Sequence, residues 1–258
     1  MVEFDISRNA QLISFSTFKR DSGFLSEIKI FNTNLKAEQT IFSGERFIKN
    51  LTADNLGQRC AYLSTTDTAK RKVYQLFLYN EAVKGEKLNL LADTLNNGFP
   101  ENYTVSENGT MYFSRNDEKL YVGIAEKPEF EEKDTLLPEE KVVMDLWTWK
   151  DEQLQPQQLQ QLEREKKRTY LSVFHIKTGK TVQLATEDFR DVRTFQKGNA
   201  DYGLTSYDKP YRISQSWQMP NYRDVYFVDF VTGAKTLLKQ KVEAETNLSP
   251  NGKYLYWY

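Results

Sequence analysis

Short apolar runs alternate with polar turns along nearly the whole chain, a pattern that predicts strands joined by hairpins. In the first stretch the runs are Val2–Ile6, Leu12–Phe18, Leu25–Phe31 and Gln39–Phe42. In the second they are Arg46–Leu51, Arg59–Ser64, Val73–Tyr79 and Glu86–Leu91. A later set reads Asp191–Gln196, Ala200–Thr205, Arg223–Phe230 and Lys235–Leu238. Each set opens on a strand, an asparagine-bearing turn and a second strand. The turns are Ser7-Arg8-Asn9-Ala10, Asp54-Asn55-Leu56-Gly57, Glu107-Asn108-Gly109, Gly198-Asn199-Ala200 and Pro250-Asn251-Gly252. Asparagine and glycine recur there because they tolerate the positive φ that tight turns demand.

Taking the asparagines as markers, the spacings are 46, 53, 91 and 52 residues. Three agree on a period near fifty, and the fourth calls for an insertion of about forty residues. A second pair of turns, Lys177-Thr178-Gly179-Lys180 and Val231-Thr232-Gly233-Ala234, repeats at a 54-residue interval. Four strands per unit at this period predict an all-β chain of β-propeller blades, with an ordinary antiparallel sandwich as the alternative. The expected blades are 1–45, 46–98, 99–190 and 191–243, with 244–258 an incomplete fifth.

The insertion falls in the third unit, over 126–168. Its acidic start, Glu126 to Asp134, reads as loop. Val142 to Trp149 reads as a strand with Trp147 and Trp149 on one face, expected to pack between blades. Leu154 to Lys167, with Pro156 near its start and Leu159 and Leu162 three apart, predicts the one convincing helix, exposed over Gln157–Arg168. The chain stops at Lys253–Tyr258, the second strand of the fifth unit. The expectation from this is an internal piece of a longer protein, an open arc that exposes its end faces and associates through them.

Composition excludes several functions. Lysine plus arginine number 35 against 36 acids, a net charge of −1, so no global field draws the chain to nucleic acid. No run approaches the length of a membrane span. One cysteine, Cys60, excludes an intrachain disulfide and a cysteine zinc cluster, and one histidine, His175, excludes multi-histidine metal sites. No G-x-S-x-G, P-loop or dinucleotide fingerprint occurs. The reading therefore assigns no catalytic, cofactor-binding or metal-binding residue, and no cofactor.

Two segments carry a resemblance. The first runs Met144-Asp145-Leu146-Trp147-Thr148-Trp149-Lys150-Asp151, Leu154-Gln155-Pro156-Gln157-Gln158-Leu159 and Glu163 to Leu171. It resembles bacterial prolyl oligopeptidase-family (S9, dipeptidyl-peptidase IV-like) serine peptidases. The second, Leu248-Ser249-Pro250-Asn251-Gly252-Lys253-Tyr254-Leu255, is similar to the S-P-D-G-K blade turn common in that family, with asparagine for aspartate. The resemblance implies a propeller that covers the active site of an α/β-hydrolase domain and limits access to short or flexible peptides. The hydrolase domain and the remaining blades would be its partners, peptide the substrate, and the parent exported to the periplasm or beyond. The family's catalytic serine, aspartate and histidine have no counterparts here, so this chain alone is expected to be inactive. A stand-alone binding propeller and a propeller enzyme with a channel site, such as a glycosidase or lyase, are the alternatives.

The remaining polar features read as structure. Glu139-Glu140 is the pair that dipeptidyl peptidases of the family would use for a substrate ammonium, but its surroundings differ, and with Glu131 and Glu132 it reads as an acidic loop. His175 reads as structural and Cys60 as a buried small apolar residue. Lys70-Arg71-Lys72 belongs to a hairpin loop and Arg164 to Arg168 to an exposed helix face. Asn50, Asn102 and Asn108 match the glycosylation pattern that also arises by chance.

Overall fold

The fold was taken from a computed structural model that describes residues 2–20, 24–83, 87–93, 98–128, 144 and 147–258. Among the described residues the strands form five antiparallel sheets in chain order. The first holds β1 (Phe4–Ile6), β2 (Leu12–Arg20), β3 (Phe24–Asn32) and β4 (Ala37–Gly44). The second holds β5 (Phe47–Ala53), β6 (Arg59–Thr65), β7 (Gln75–Asn80) and β8 (Leu88–Ala92). The third holds β9 (Tyr103–Val105), β10 (Tyr112–Phe113), β11 (Lys119–Glu126), β12 (Tyr170–His175) and β13 (Lys180–Gln183). The fourth holds β14 (Val192–Thr194), β15 (Tyr202–Tyr207), β16 (Arg223–Asp229) and β17 (Lys235–Val242). The fifth pairs β18 (Thr246–Leu248) with β19 (Leu255–Trp257).

Burial shows how the sheets stack. In β2 buried and half-buried residues alternate over Leu12–Thr17, because one face meets the second sheet and the other meets none. In β6 every residue from Cys60 to Thr65 is buried. Its Cys60 and Tyr62 pack with Leu12, Ile28 and Ile30 of the first sheet. Its Ala61 and Leu63 pack with Leu120, Val122 and Ile124 of the third. Tyr121, Val173 and Val182 then meet Val228 and Phe230, and Leu204 and Val225 meet Leu248. Four-stranded meanders stacked face to face in sequence order are propeller blades, as the strand pattern predicts.

The turns between the first two strands of neighbouring sheets are tied in a relay. The backbone N–H of Asn9 donates to Asn55 O at 3.2 Å, and Asn9 Nδ2 donates to Leu56 O at 2.7 Å. Asn55 and Leu56 in turn donate to the Asp117 carboxylate. Asn116 N donates to Asn199 Oδ1 at 2.9 Å, and Gln196 Nε2 donates to Pro250 O at 3.3 Å. Four of these turns share one local design. A side chain of Ser7, Asp54, Ser114 or Ser249 accepts the N–H of the residue four or five positions on. The fourth residue of each (Ala10, Gly57, Asp117, Gly252) has φ between 57° and 70°.

That design corrects the third marker. The equivalent turn is Ser114-Arg115-Asn116-Asp117, not Glu107-Asn108-Gly109. The latter interrupts the innermost strand of the third sheet, since β9 and β10 both pair with β11 on either side of it. Its glycine serves a close approach of backbones: a Cβ on Gly109 would lie 2.5 Å from the Gly123 Cα. Gly123→Ala is therefore expected to cost about 1–3 kcal/mol, the range for overpacking a tight core. Urea unfolding followed by circular dichroism checks this, and an unchanged midpoint would reject the close approach.

Between β11 and β12 lies the insertion, with helix α1 over Gln155–Lys166 and none of its residues buried. The helix lies within the predicted Leu154–Lys167 segment. Pro156 fits its first turn, and Gln157 Oε1 accepts the Leu154 N–H at 3.3 Å.

Candidate functional site

An antiparallel meander puts its first and third connections at one end and its second, with the link to the next sheet, at the other. At the relay end the connections are tight turns. The opposite end carries the long connections, over 66–74, 127–169, 184–191 and 208–222, beside short links over 45–46 and 243–245. Long loops on a rigid scaffold are where recognition chemistry concentrates.

Several hollows open among these loops, two of them of contrasting chemistry. The larger, of about 530 Å³, lies between α1, the 184–191 link and the 208–222 loop. Arg164, Lys167, Arg168, Arg190 and Arg212 line it together with Asp188, Asp191 and Asp208. Arg212 is nearly buried; its guanidinium pairs with Asp208 at 2.8 Å and with Glu152 at 2.5 Å. Arg168 hydrogen-bonds Glu165, which holds that carboxyl below its usual range, and Arg190 adds a weaker contact at 3.7 Å. The network fastens the insertion to the fourth sheet's loop. The smaller hollow, of about 300 Å³, is mostly apolar and lies where the first two sheets meet, lined by Val2, Phe18, Phe47 and Ile48 with Lys49, Lys72, Tyr74 and Glu107 on its rim.

The tryptophans correct the expected packing role. Trp147 and Trp149 lie outside any strand and are 62% and 85% exposed. Trp217, in the 208–222 loop, is 73% exposed and Trp257 43%. All four tryptophans of the chain thus reach solvent, three of them from the long-loop end, against the usual preference of so large a ring for burial. The physical reason is local: Trp147 and Trp149 sit in a loop that leaves the sheet, so no neighbouring blade faces them.

Other candidates fall where the residue types suggested. His175 Nε2 lies 2.9 Å from Phe230 O and ties the third sheet to the fourth. Cys60 is fully buried and burial pushes its thiol up to about 12, so it is no nucleophile. Lys70 to Lys72 occupy the β6–β7 loop, and Arg164 to Lys166 the exposed helix. Asn50, with φ of 52°, donates its amide to Glu107 O and Gly109 O and so braces the neighbouring inner strand. Glu131, Glu132, Glu139 and Glu140 lie outside the described residues, as do Val142 and Val143. Among the described residues no group of three or more His, Cys, Asp or Glu side chains is placed to hold a metal ion, and no helix is long and apolar enough to cross a membrane.

No protein-family model matches the chain, and no curated protein matches it. Solved structures align with the chain at low identity. TolB from Acinetobacter baumannii matches over 98% of this chain at 7% identity and a TM-score of 0.42. The β-propeller domain of the Trilobed protease from Pyrococcus furiosus matches over 93% at 11% identity and a TM-score of 0.47. Pyrococcus horikoshii acylaminoacyl peptidase matches over 99% at 12% identity and a TM-score of 0.44. The chain spans 47%, 57% and 38% of these three, respectively. The propeller assignment rests on the sheet order and packing above. This chain folds as propeller blades.

Proposed function

We propose that this chain is the propeller part of an exported S9-type serine peptidase, a non-catalytic element that gates peptide access to a hydrolase domain. The observation that carries the reading is the asymmetry of the two ends. One end is closed by the turn relay; the other bears the long loops, three exposed tryptophans and residues 147–169 of the segment that resembles the family. Such a surface selects substrates by size and excludes water while other residues break the bond. Every sheet among the described residues is antiparallel, and none forms the parallel core of a hydrolase.

The test compares residues 1–258 with the product of the whole reading frame. Residues 1–258 are expected neither to react with a fluorophosphonate probe nor to cleave a chromogenic proline-containing peptide. The whole product is expected to do both. Stoichiometric labelling of residues 1–258 that substrate blocks would overturn the reading, and so would a whole product that stays unlabelled. The second result, together with a partner retained through Trp147, Trp149 and Trp217, would favour a stand-alone binding propeller.

A further inference from the structure

We infer that the hollow between the first two sheets binds an apolar carboxylic acid, its hydrocarbon part on Val2, Phe18, Phe47 and Ile48 and its carboxylate between Lys49 and Lys72. The inference stands apart from the peptidase reading, because it concerns only the chemistry of this cavity.

Three observations support it. The floor is apolar and in part aromatic. Phe24 stacks on Phe18 at 6.0 Å and on Phe47 at 4.7 Å between ring centroids, so the rings that face the cavity are held in place. The cavity measures about 300 Å³, at the lower end of the range for small-molecule sites. Finally, its charges are unbalanced in one direction. Lys49 is half-buried, and its ammonium has no hydrogen bond or ion pair with any described residue. The Lys72 ammonium sits 4.9 Å above the Phe47 ring and donates to Ala69 O at 2.8 Å, with no carboxylate partner among the described residues. Glu107, the one acid lining the cavity, accepts the Tyr74 hydroxyl at 3.0 Å and keeps its negative charge, so two ammonium groups face one carboxylate.

Two lysines against one carboxylate beside an apolar floor leave a net positive charge that complements a ligand apolar at one end and anionic at the other. An alcohol of the same length would leave both ammonium groups unpaired, and an amine would add a third positive charge. A free fatty acid and the C-terminal residue of a peptide share the required chemistry.

The experiment titrates the 258-residue protein with octanoate, octanol and octylamine, and with acetyl-Pro-Phe as free acid and as amide, by calorimetry. At least one acid is expected to bind at least tenfold more tightly than its neutral counterpart, a difference of about 1.4 kcal/mol. Octanoate leading would point to a lipid source, the peptide acid to a peptide terminus. Lys49→Gln with Lys72→Gln is expected to remove that tenfold preference. Val2→Asp, a change at an exposed position, is expected to abolish acid binding without touching the lysines. No saturable binding of either acid, equal affinity for acid and neutral partner, tighter binding of octylamine, or a preference that survives the double lysine change would each overturn the inference.

Discussion

Replacing Asp117 by alanine is expected to lower the stability of the protein by about 1–3 kcal/mol, the range for leaving hydrogen-bond donors without their acceptor. The side chain is only 3% exposed on a turn of the third sheet, yet it is the acceptor for the turn of the second. Its Oδ1 accepts the Asn55 backbone N–H at 2.9 Å and Asn55 Nδ2 at 2.6 Å, and its Oδ2 accepts the Leu56 N–H at 3.0 Å. Alanine leaves those donors, on the half-buried Asn55 and the exposed Leu56, without their acceptor. Two further variants separate the causes. Asp117 has φ of 57°. Alanine there also carries left-handed strain of about 1–2 kcal/mol, which Asp117→Gly avoids. Asp117→Asn keeps one acceptor oxygen and is expected to fall between the wild type and alanine. Urea unfolding followed by far-UV circular dichroism measures all three; a loss below about 1 kcal/mol for alanine would mean that the relay does not join the sheets energetically. The next joint uses a cation instead: Lys119 Nζ donates to Asn199 O at 2.6 Å and Ala200 O at 3.0 Å, and pairs with Asp201 at 2.7 Å.

The 258-residue polypeptide is expected to self-associate at micromolar concentration, with an apparent mass at least twice the monomer's by size-exclusion chromatography with light scattering. Among the described residues, the buried core clusters join each sheet to the next, and none joins the first sheet to the fourth or fifth. Strand pairing places Phe4 with Phe15 and Ile6 with Ile13 on the face of the first sheet that has no neighbour. Phe4 is 59% and Ile6 48% exposed. At the other end Tyr254, Tyr256, Trp257 and Tyr258 are exposed, and β19 pairs on one side only. An apolar face and an open strand edge on one molecule match the complementary end of a second copy. Phe4→Glu combined with Ile6→Lys should return the protein to monomer. A wild-type monomer throughout the micromolar range would reject the end-to-end contact.

Local chemistry makes much of the architecture legible. Turn residues such as Asn9, Asn55 and Asn251 mark hairpins because the residues beside them must adopt positive φ, and that demand is written in the residue types themselves. The helix over Gln155–Lys166 is visible for the same reason: Pro156 and the polar run after it favour a first turn without help from the rest of the molecule. The same local reasoning misassigns Asn108-Gly109. An asparagine–glycine pair meets the needs of a hairpin and of a close backbone approach equally well, and only the position of Gly123 distinguishes them. Trp147 and Trp149 likewise carry the same apolar surface whether a blade faces them or solvent does.

The candidate sites are still less legible. Arg212 and Glu152 are sixty residues apart, and Val2 reaches the same cavity as Glu107 across three sheets. Asn9, Asn55 and Asp117 belong to three separate turns, yet one relay of hydrogen bonds connects them. Backbone preference and strand pairing act between neighbours in the chain, so the sequence could dictate strands, turns and their order. A cavity or an ion pair between distant residues exists only after sheets stack at a particular register, and that register is chosen by the summed packing of whole faces rather than by any one residue.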